Sequence, residues 1–240
     1  MQRNRTDTRS GENARGAPSQ PEADSSGTSA TASRSDEFLA RSYSMAGPED
    51  AVTLYRDWAA SYDQQLETEL HYLSPAGVAA LAAAWLPDRT VPMLDIGCGT
   101  GLTAAAARAH GFTTIDGVDI SPEMLALARM KGIYRALFEA DLTRPLDLPS
   151  SAYGAAISSG TFTHAHVGAV AFDEIFRVLR PGGLLVCTIH AHVFEPSGFR
   201  DKIAALSEAG VMAIRHRHEA PLFADAPAEG LYFVFERRHG

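Results

Sequence analysis

The chain has 240 residues, 45% of them hydrophobic and 21% charged, enough for one α/β domain plus a tail and short for two domains. Its net charge of −8 and pI near 5.6 argue against nucleic acid, which needs a basic stripe to meet phosphate. No apolar run reaches the roughly 18 residues of a membrane span. No secretory h-region follows the first residue. The two cysteines, Cys98 and Cys187, have no metal-ligand spacing and form no disulfide framework, so a cytoplasmic protein without a metal is expected.

Residues 1–45 are rich in Ser, Thr, Gly, Pro and Arg, with acids interspersed and almost no large apolar side chains. Such a stretch cannot bury enough surface to fold alone and reads as a disordered tail; its acids argue against a transit peptide. The folded part is expected over 46–240. Within 46–73, Val52, Tyr55, Trp58, Ala59, Tyr62 and Leu66 recur at helical spacing, an amphipathic segment packed beside the core. An Ala-rich helix over Leu73–Leu86 is stopped by Pro87.

The stretch from Val91 to Leu102, VPMLDIGCGTGL, follows. A short apolar strand stops at Gly97, Gly99 and Gly101, and an Ala-rich helix starts at Thr103. Strand, glycine turn, helix is the order in which nucleotide-binding α/β folds make their first crossover. Glycines let the backbone turn tightly and let a ligand approach the main chain, while the new helix aims free N–H groups into the turn. The dinucleotide fingerprint G-x-G-x-x-G does not fit, because Leu102 stands where its third glycine belongs. Asp95, two residues before Gly97, repels phosphate and suits a cationic ligand. A nicotinamide oxidoreductase is therefore disfavoured.

Thr113–Asp119 reads as a second strand. It ends in an acidic residue about 20 positions past the turn, where a carboxylate on the neighbouring strand reaches ribose hydroxyls. Ser121, before Pro122 and Glu123, is the N-cap of a helix over Pro122–Lys131. Its Met124 either touches a ligand ring or is core. Tyr134–Ala140 is a third strand, followed by Asp141 and Leu142. Tyr153–Ser159 is a fourth, ending in GTFTHAH, at the edge where parallel strands form a ligand crevice. His164 and His166 cluster there; a histidine takes a proton at neutral pH, although either can equally be an exposed or capping residue. A helix over Val167–Leu179 ends in LRPGG. Leu184–His190 is a central fifth strand, with His190 and His192 just past its end. A helix over Phe199–Ala209 and strands over Val211–His218 and Leu231–Arg237 complete the pattern, without internal repeats.

Four signals in order, D-x-G-x-G-x-G at Asp95–Gly101, Asp119, Asp141 and LRPGG, resemble the class I S-adenosylmethionine-dependent methyltransferases over about residues 50–238. YRDWAASYD, DIGCGTGL, GVDISPEML and ISSGTFTHAHV look most like the Williams–Beuren syndrome chromosome region methyltransferase-like group. The resemblance implies a Rossmann-like three-layer α/β sandwich. Its seven-stranded, mostly parallel sheet has the order 3-2-1-4-5-7-6 with strand 7 antiparallel, and residues 46–73 form a helical lid. It implies S-adenosyl-L-methionine as cofactor, held by Tyr62, Asp95, Gly97, Cys98, Gly99, Gly101, Asp119, Ile120, Met124, Asp141, Leu142 and Ser158. Asp141 accepts from the adenine amino group in this reading, with a solvated turn as its alternative. The acceptor is expected to be a small molecule, since the N/D-P-P-Y/F signature of DNA amino-methyltransferases is absent after strand 4. The reading leaves open a cofactor-binding regulatory protein without turnover, a protein methyltransferase, and a monomer or a homodimer.

Overall fold

The computed structural model describes Asp63 and residues 71–163 and 167–238. The expected tail over 1–45, Tyr62, His164 and His166 lie outside these residues.

Thirteen elements follow one another in the described residues. They are α1 (Ser74–Trp85), β1 (Met93–Ile96), α2 (Leu102–Ala109), β2 (Ile115–Asp119), α3 (Pro122–Met130), β3 (Ala136–Glu139), β4 (Tyr153–Phe162), α4 (Ala171–Val178), β5 (Leu179–His190), α5 (Ala191–Phe194), α6 (Phe199–Glu208), β6 (Met212–Ala220) and β7 (Gly230–Arg237). The strands form one sheet in the order β3-β2-β1-β4-β5-β7-β6. The first five run parallel, and β7 is antiparallel to both β5 and β6. This is the expected topology. The order reverses between β1 and β4, so the crevice opens beyond the ends of those two strands.

Side chains alternate across each strand and divide the core into two layers. Met93, Ala155, Ile157, Val186 and Val234 face one side, where Val78, Ala79 and Ala82 of α1 and Ala104 and Ala107 of α2 cover them. Leu94, Ala156, Leu185, Cys187 and Phe233 face the other side, under Phe172, Ile175 and Phe176 of α4 and Phe199 and Ile203 of α6. Small side chains on α1 and α2 let those helices lie close to the sheet. The opposite layer is filled by aromatic rings packed edge to face around Phe172, which meets Phe162, Phe176, Phe199 and Phe235. The same alternation turns Asp95 toward the α2 side, opposite to Leu94 and Ile96.

Four expected boundaries are corrected. The fourth strand does not stop at Ser159 but continues through Phe162, because Phe162 pairs with Ile189 after a register shift. The LRPGG segment is not a helix end and turn: Leu179 pairs with Tyr153, and β5 already begins there. The helix before it is correspondingly short and starts at Ala171 rather than Val167. Tyr134 lies before β3 rather than in it, its ring turned into the glycine turn. The residues after His190 form the short helix α5.

Candidate active site

β1 ends at Ile96, and the chain turns through Gly97, Gly99 and Gly101 into α2. Gly97 and Gly99 have φ of +63° and +51°, the left-handed region that glycine adopts without strain. Their surroundings differ. A Cβ on Gly97 would run into Thr161, with its Cγ2 at 2.7 Å, whereas a Cβ on Gly99 would meet nothing within 4 Å. Gly97 is thus fixed by packing, and Gly99 presents bare backbone to open space.

β4 braces the turn from beneath. Ser158 and Thr161 both donate to the Ile96 carbonyl, at 2.8 and 2.9 Å, which occupies both lone pairs of that oxygen. Beside it runs a chain of hydroxyls from Tyr72 to Ser159 (3.1 Å), Ser74 (3.0 Å) and Thr188 (3.1 Å). A crevice opens between these two groups, lined by Tyr72, Pro75, Gly97, Gly99, Thr100 and Ser159.

Two carboxylates flank the turn. Asp119, at the end of β2, accepts the Gly99 amide on Oδ2 at 2.8 Å and the Ser121 amide on Oδ1 at 2.9 Å. A carboxylate has about four acceptor positions, so at least one remains for a ligand. Burial raises the Asp119 pKa, and the amides of Ser121, Gly99 and Ile120 oppose the rise. Asp95 is fully buried. Its Oδ2 accepts from the Tyr134 hydroxyl at 2.8 Å, while its Oδ1 has no hydrogen-bond partner among the described residues. Burial pushes its pKa up to about 7; the Tyr134 hydroxyl pulls it down, the Asp119 charge adds to the rise, and the Ala104 amide and the Lys131 charge oppose it. An orphaned buried oxygen is costly without a partner, and a cation or N–H donor would relieve it. The Cys98 thiol, beside both acids, is held neutral by burial and by their charges.

Among the other expected contacts, Met124 is buried on α3, its amide capped by Ser121 Oγ at 3.2 Å. Asp141 closes a turn, its Oδ1 accepting from the Thr143 amide at 2.8 Å and hydroxyl at 2.6 Å. Leu142 is buried in the core. Ser158 is completely buried, its hydroxyl engaged on Ile96. Tyr134, Thr161, Tyr72 and Asp63 escape the sequence reading. Asp63 accepts from the Thr100 hydroxyl and pairs with Lys131 at 2.7 Å, joining the expected lid to the turn and to the end of α3. The YRDWAASYD stretch pointed to that segment, but to Tyr62 rather than its neighbour Asp63.

The region from inside β1 to inside β5, residues 94–187, matches the methyltransferase domain family. Over this stretch the chain is similar to methyltransferase domains. It is similar to human methyltransferase-like protein 27, 38% identical over 136 residues that make up 56% of this chain and 55% of that protein. It is also similar to the ubiquinone/menaquinone biosynthesis C-methyltransferase UbiE of Methylobacterium nodulans, 31% identical over 151 residues, 60% of each. The chain thus spans a little over half the length of these relatives. A solved S-adenosylmethionine-dependent methyltransferase from Mesorhizobium loti shares the fold, with a TM-score of 0.52 and 23% identity over 67% of this chain and 98% of that one. The residues present fit the cofactor of this domain. The acids flank a turn that offers bare backbone at Gly99, and the orphaned Asp95 oxygen suits an ammonium or sulfonium rather than a phosphate.

Proposed function

We propose that the chain transfers a methyl group from S-adenosylmethionine to a nucleophile on a small molecule. The observation that carries this reading is a pair of carboxyls around an open glycine turn, Asp119 half-buried and Asp95 fully buried with an unpartnered oxygen. When bound, the cofactor supplies an already reactive methyl on a sulfonium, so the protein's contribution is largely position and orientation. Asp95 faces the cationic methionine end, and Gly97, Cys98, Gly99 and Gly101 admit it. Asp119 and the adjoining Ile120 hold the ribose; Asp141 and Leu142 hold the adenine, with Met124 beside it. Ser158 acts from beneath, by fixing the Ile96 carbonyl ahead of the turn.

In this reading the acceptor meets the segment that follows β4, to which His164 and His166 belong, and Tyr62 of the expected lid belongs with the cofactor. A histidine there would take a proton where the nucleophile still carries one. A small acceptor accords with the Methylobacterium relative, a ubiquinone/menaquinone biosynthesis C-methyltransferase. A cytoplasmic setting accords with two free, buried thiols and with described helices that are neither long nor apolar enough to cross a membrane.

Two measurements test this. Calorimetric titration with S-adenosylmethionine should show Asp119→Ala binding roughly tenfold or more weakly, the loss of a charged acceptor; equal affinity removes the ribose assignment. Incubation with cofactor and a small-molecule extract should release S-adenosylhomocysteine. Tight binding without release would mark a cofactor-binding protein without turnover.

A further inference from the structure

A second group of chemically capable side chains lies outside the glycine turn, past the end of β5. His190 is the last residue of that strand, and His192 is the second residue of α5. Glu229 immediately precedes β7. The pairing of His190 with Gly230 brings it alongside, and the Ala191 amide donating to its carbonyl at 2.8 Å holds it there. The backbone therefore sets the three residues before any side chain is considered.

The side chains converge. Glu229 Oε2 lies 3.6 Å from His190 Nε2, and its Oε1 lies 3.5 Å from His192 Nε2. One ligand atom from each of the three residues falls within 4.8 Å of the others. These separations are too long for good hydrogen bonds. They run to the two different oxygens of Glu229 and are slightly longer than the about 3.3–3.4 Å between neighbouring ligand atoms held at about 2.0–2.1 Å by a tetrahedral centre, so a small side-chain adjustment brings the group onto one ion. His190 is buried, with 3% of its side chain exposed, and His192 is open at 61%, so the group has a fixed floor and an entrance.

We propose that His190, His192 and Glu229 bind one divalent transition-metal ion of the Zn²⁺ type. Two imidazoles and one carboxylate suit Zn²⁺, Co²⁺ or Ni²⁺, whereas Mg²⁺ and Ca²⁺ prefer all-oxygen sets. Three protein ligands leave a fourth position for water or another ligand, the arrangement of open rather than structural zinc sites. His190 Nδ1 accepts from the His192 amide at 3.3 Å. When the ion takes Nε2, the ring proton moves to Nδ1 and that contact is given up.

The test uses full-length, tag-free protein stripped with a chelator, titrated with ZnCl₂ by calorimetry and with CoCl₂ by visible absorption. One ion per chain and a tetrahedral or five-coordinate Co²⁺ spectrum are expected. His192→Ala and Glu229→Gln, both at partly exposed positions, should each weaken Zn²⁺ binding by at least the roughly 10- to 100-fold that loss of an outer-shell partner alone produces. Their affinity for S-adenosylmethionine, measured alongside, reports that the domain is folded. A control removes the other close histidine pair, His216 and His218, whose ring nitrogens are 2.9 Å apart on β6; His216→Ala with His218→Ala should bind Zn²⁺ as wild type does. Absence of stoichiometric binding, unchanged affinity in both ligand variants, or a loss that follows the His216–His218 pair instead would overturn the assignment.

Discussion

Tyr134 donates its phenolic hydrogen to Asp95 Oδ2 at 2.8 Å from 39 positions further along the chain. Its ring lies so close to Gly101 and Gly117 that a Cβ on either would come within 2.9 Å of it. One side chain thus seals the floor of the glycine turn and gives Asp95 a side-chain hydrogen bond. The other carboxyl oxygen is left for a ligand. Tyr134→Phe keeps the ring and removes the bond. The cofactor-free protein should lose about 1–3 kcal/mol, the cost of stripping a buried acceptor, measured by urea unfolding. Cofactor affinity at pH 7 should fall and be partly recovered at higher pH, as the more strongly raised carboxyl ionises.

The raised Asp95 carboxyl makes stability depend on pH with a definite sign. Its pKa is about 7 in the fold against an ordinary 3.8. Between these values the native state holds a proton that the unfolded chain has released, so stability falls as pH rises through this window. At ~1.4 kcal/mol per unit the effect reaches up to ~4 kcal/mol above pH 7 and vanishes below about pH 4. Asp95→Asn should therefore melt higher than wild type at pH 8 and lose that advantage at pH 4, while binding S-adenosylmethionine more weakly. A melting series without cofactor checks the sign; parallel wild-type and variant curves would refute it. Because a cation favours the carboxylate, wild-type protein should also release protons on binding cofactor at pH 6, seen as a dependence of binding heat on buffer ionisation enthalpy.

Gly97 and Gly99 separate stability from affinity. Both need a positive φ, which costs a residue with a Cβ about 1–2 kcal/mol. At Gly97 the added methyl also strikes Thr161, so Gly97→Ala should destabilise by a further ~1–3 kcal/mol. At Gly99 the methyl enters open space where the cofactor is proposed to lie. Gly99→Ala should unfold only slightly more readily and bind far more weakly. Thermal melts paired with calorimetry distinguish the two; the same ratio of effects at both sites would refute the contrast.

Asp63 connects the expected lid to the turn through Thr100 and Lys131. Both Asp63 and Lys131 are partly exposed, so Asp63→Ala should cost only about 1 kcal/mol in stability. Cofactor affinity should drop by more than this, and high salt should narrow the gap between wild type and variant, since screening weakens the ion pair. Titrations at low and high ionic strength read the effect; an affinity equal to wild type would show that this anchor has no bearing on the site.

Much of the turn and the sheet could be read along the chain because their causes are local. Alternating glycines are needed where the backbone turns with positive φ. An acidic residue about 20 positions on ends a parallel neighbour. Apolar runs separated by amphipathic helices dictate a covered parallel sheet. The strand ends at Phe162 and Leu179 were not legible. Register against a partner strand sets them, and Gly160 and the LRPGG segment read locally as breaks.

By itself, then, the sequence determined the succession of strands and helices, the position of the turn, and the two acids beside it, because periodicity and glycine placement act over a few residues; the strand order was implied by the family resemblance. Only the tertiary structure decided which neighbours complete them: Tyr134 on Asp95, Thr161 against Gly97, the hydroxyl chain from Tyr72 to Thr188, and Glu229 beside His190 and His192. Each of these contacts joins segments tens of residues apart. Such pairs form when strands and helices pack with a particular register, and the local pattern of neither segment carries that register.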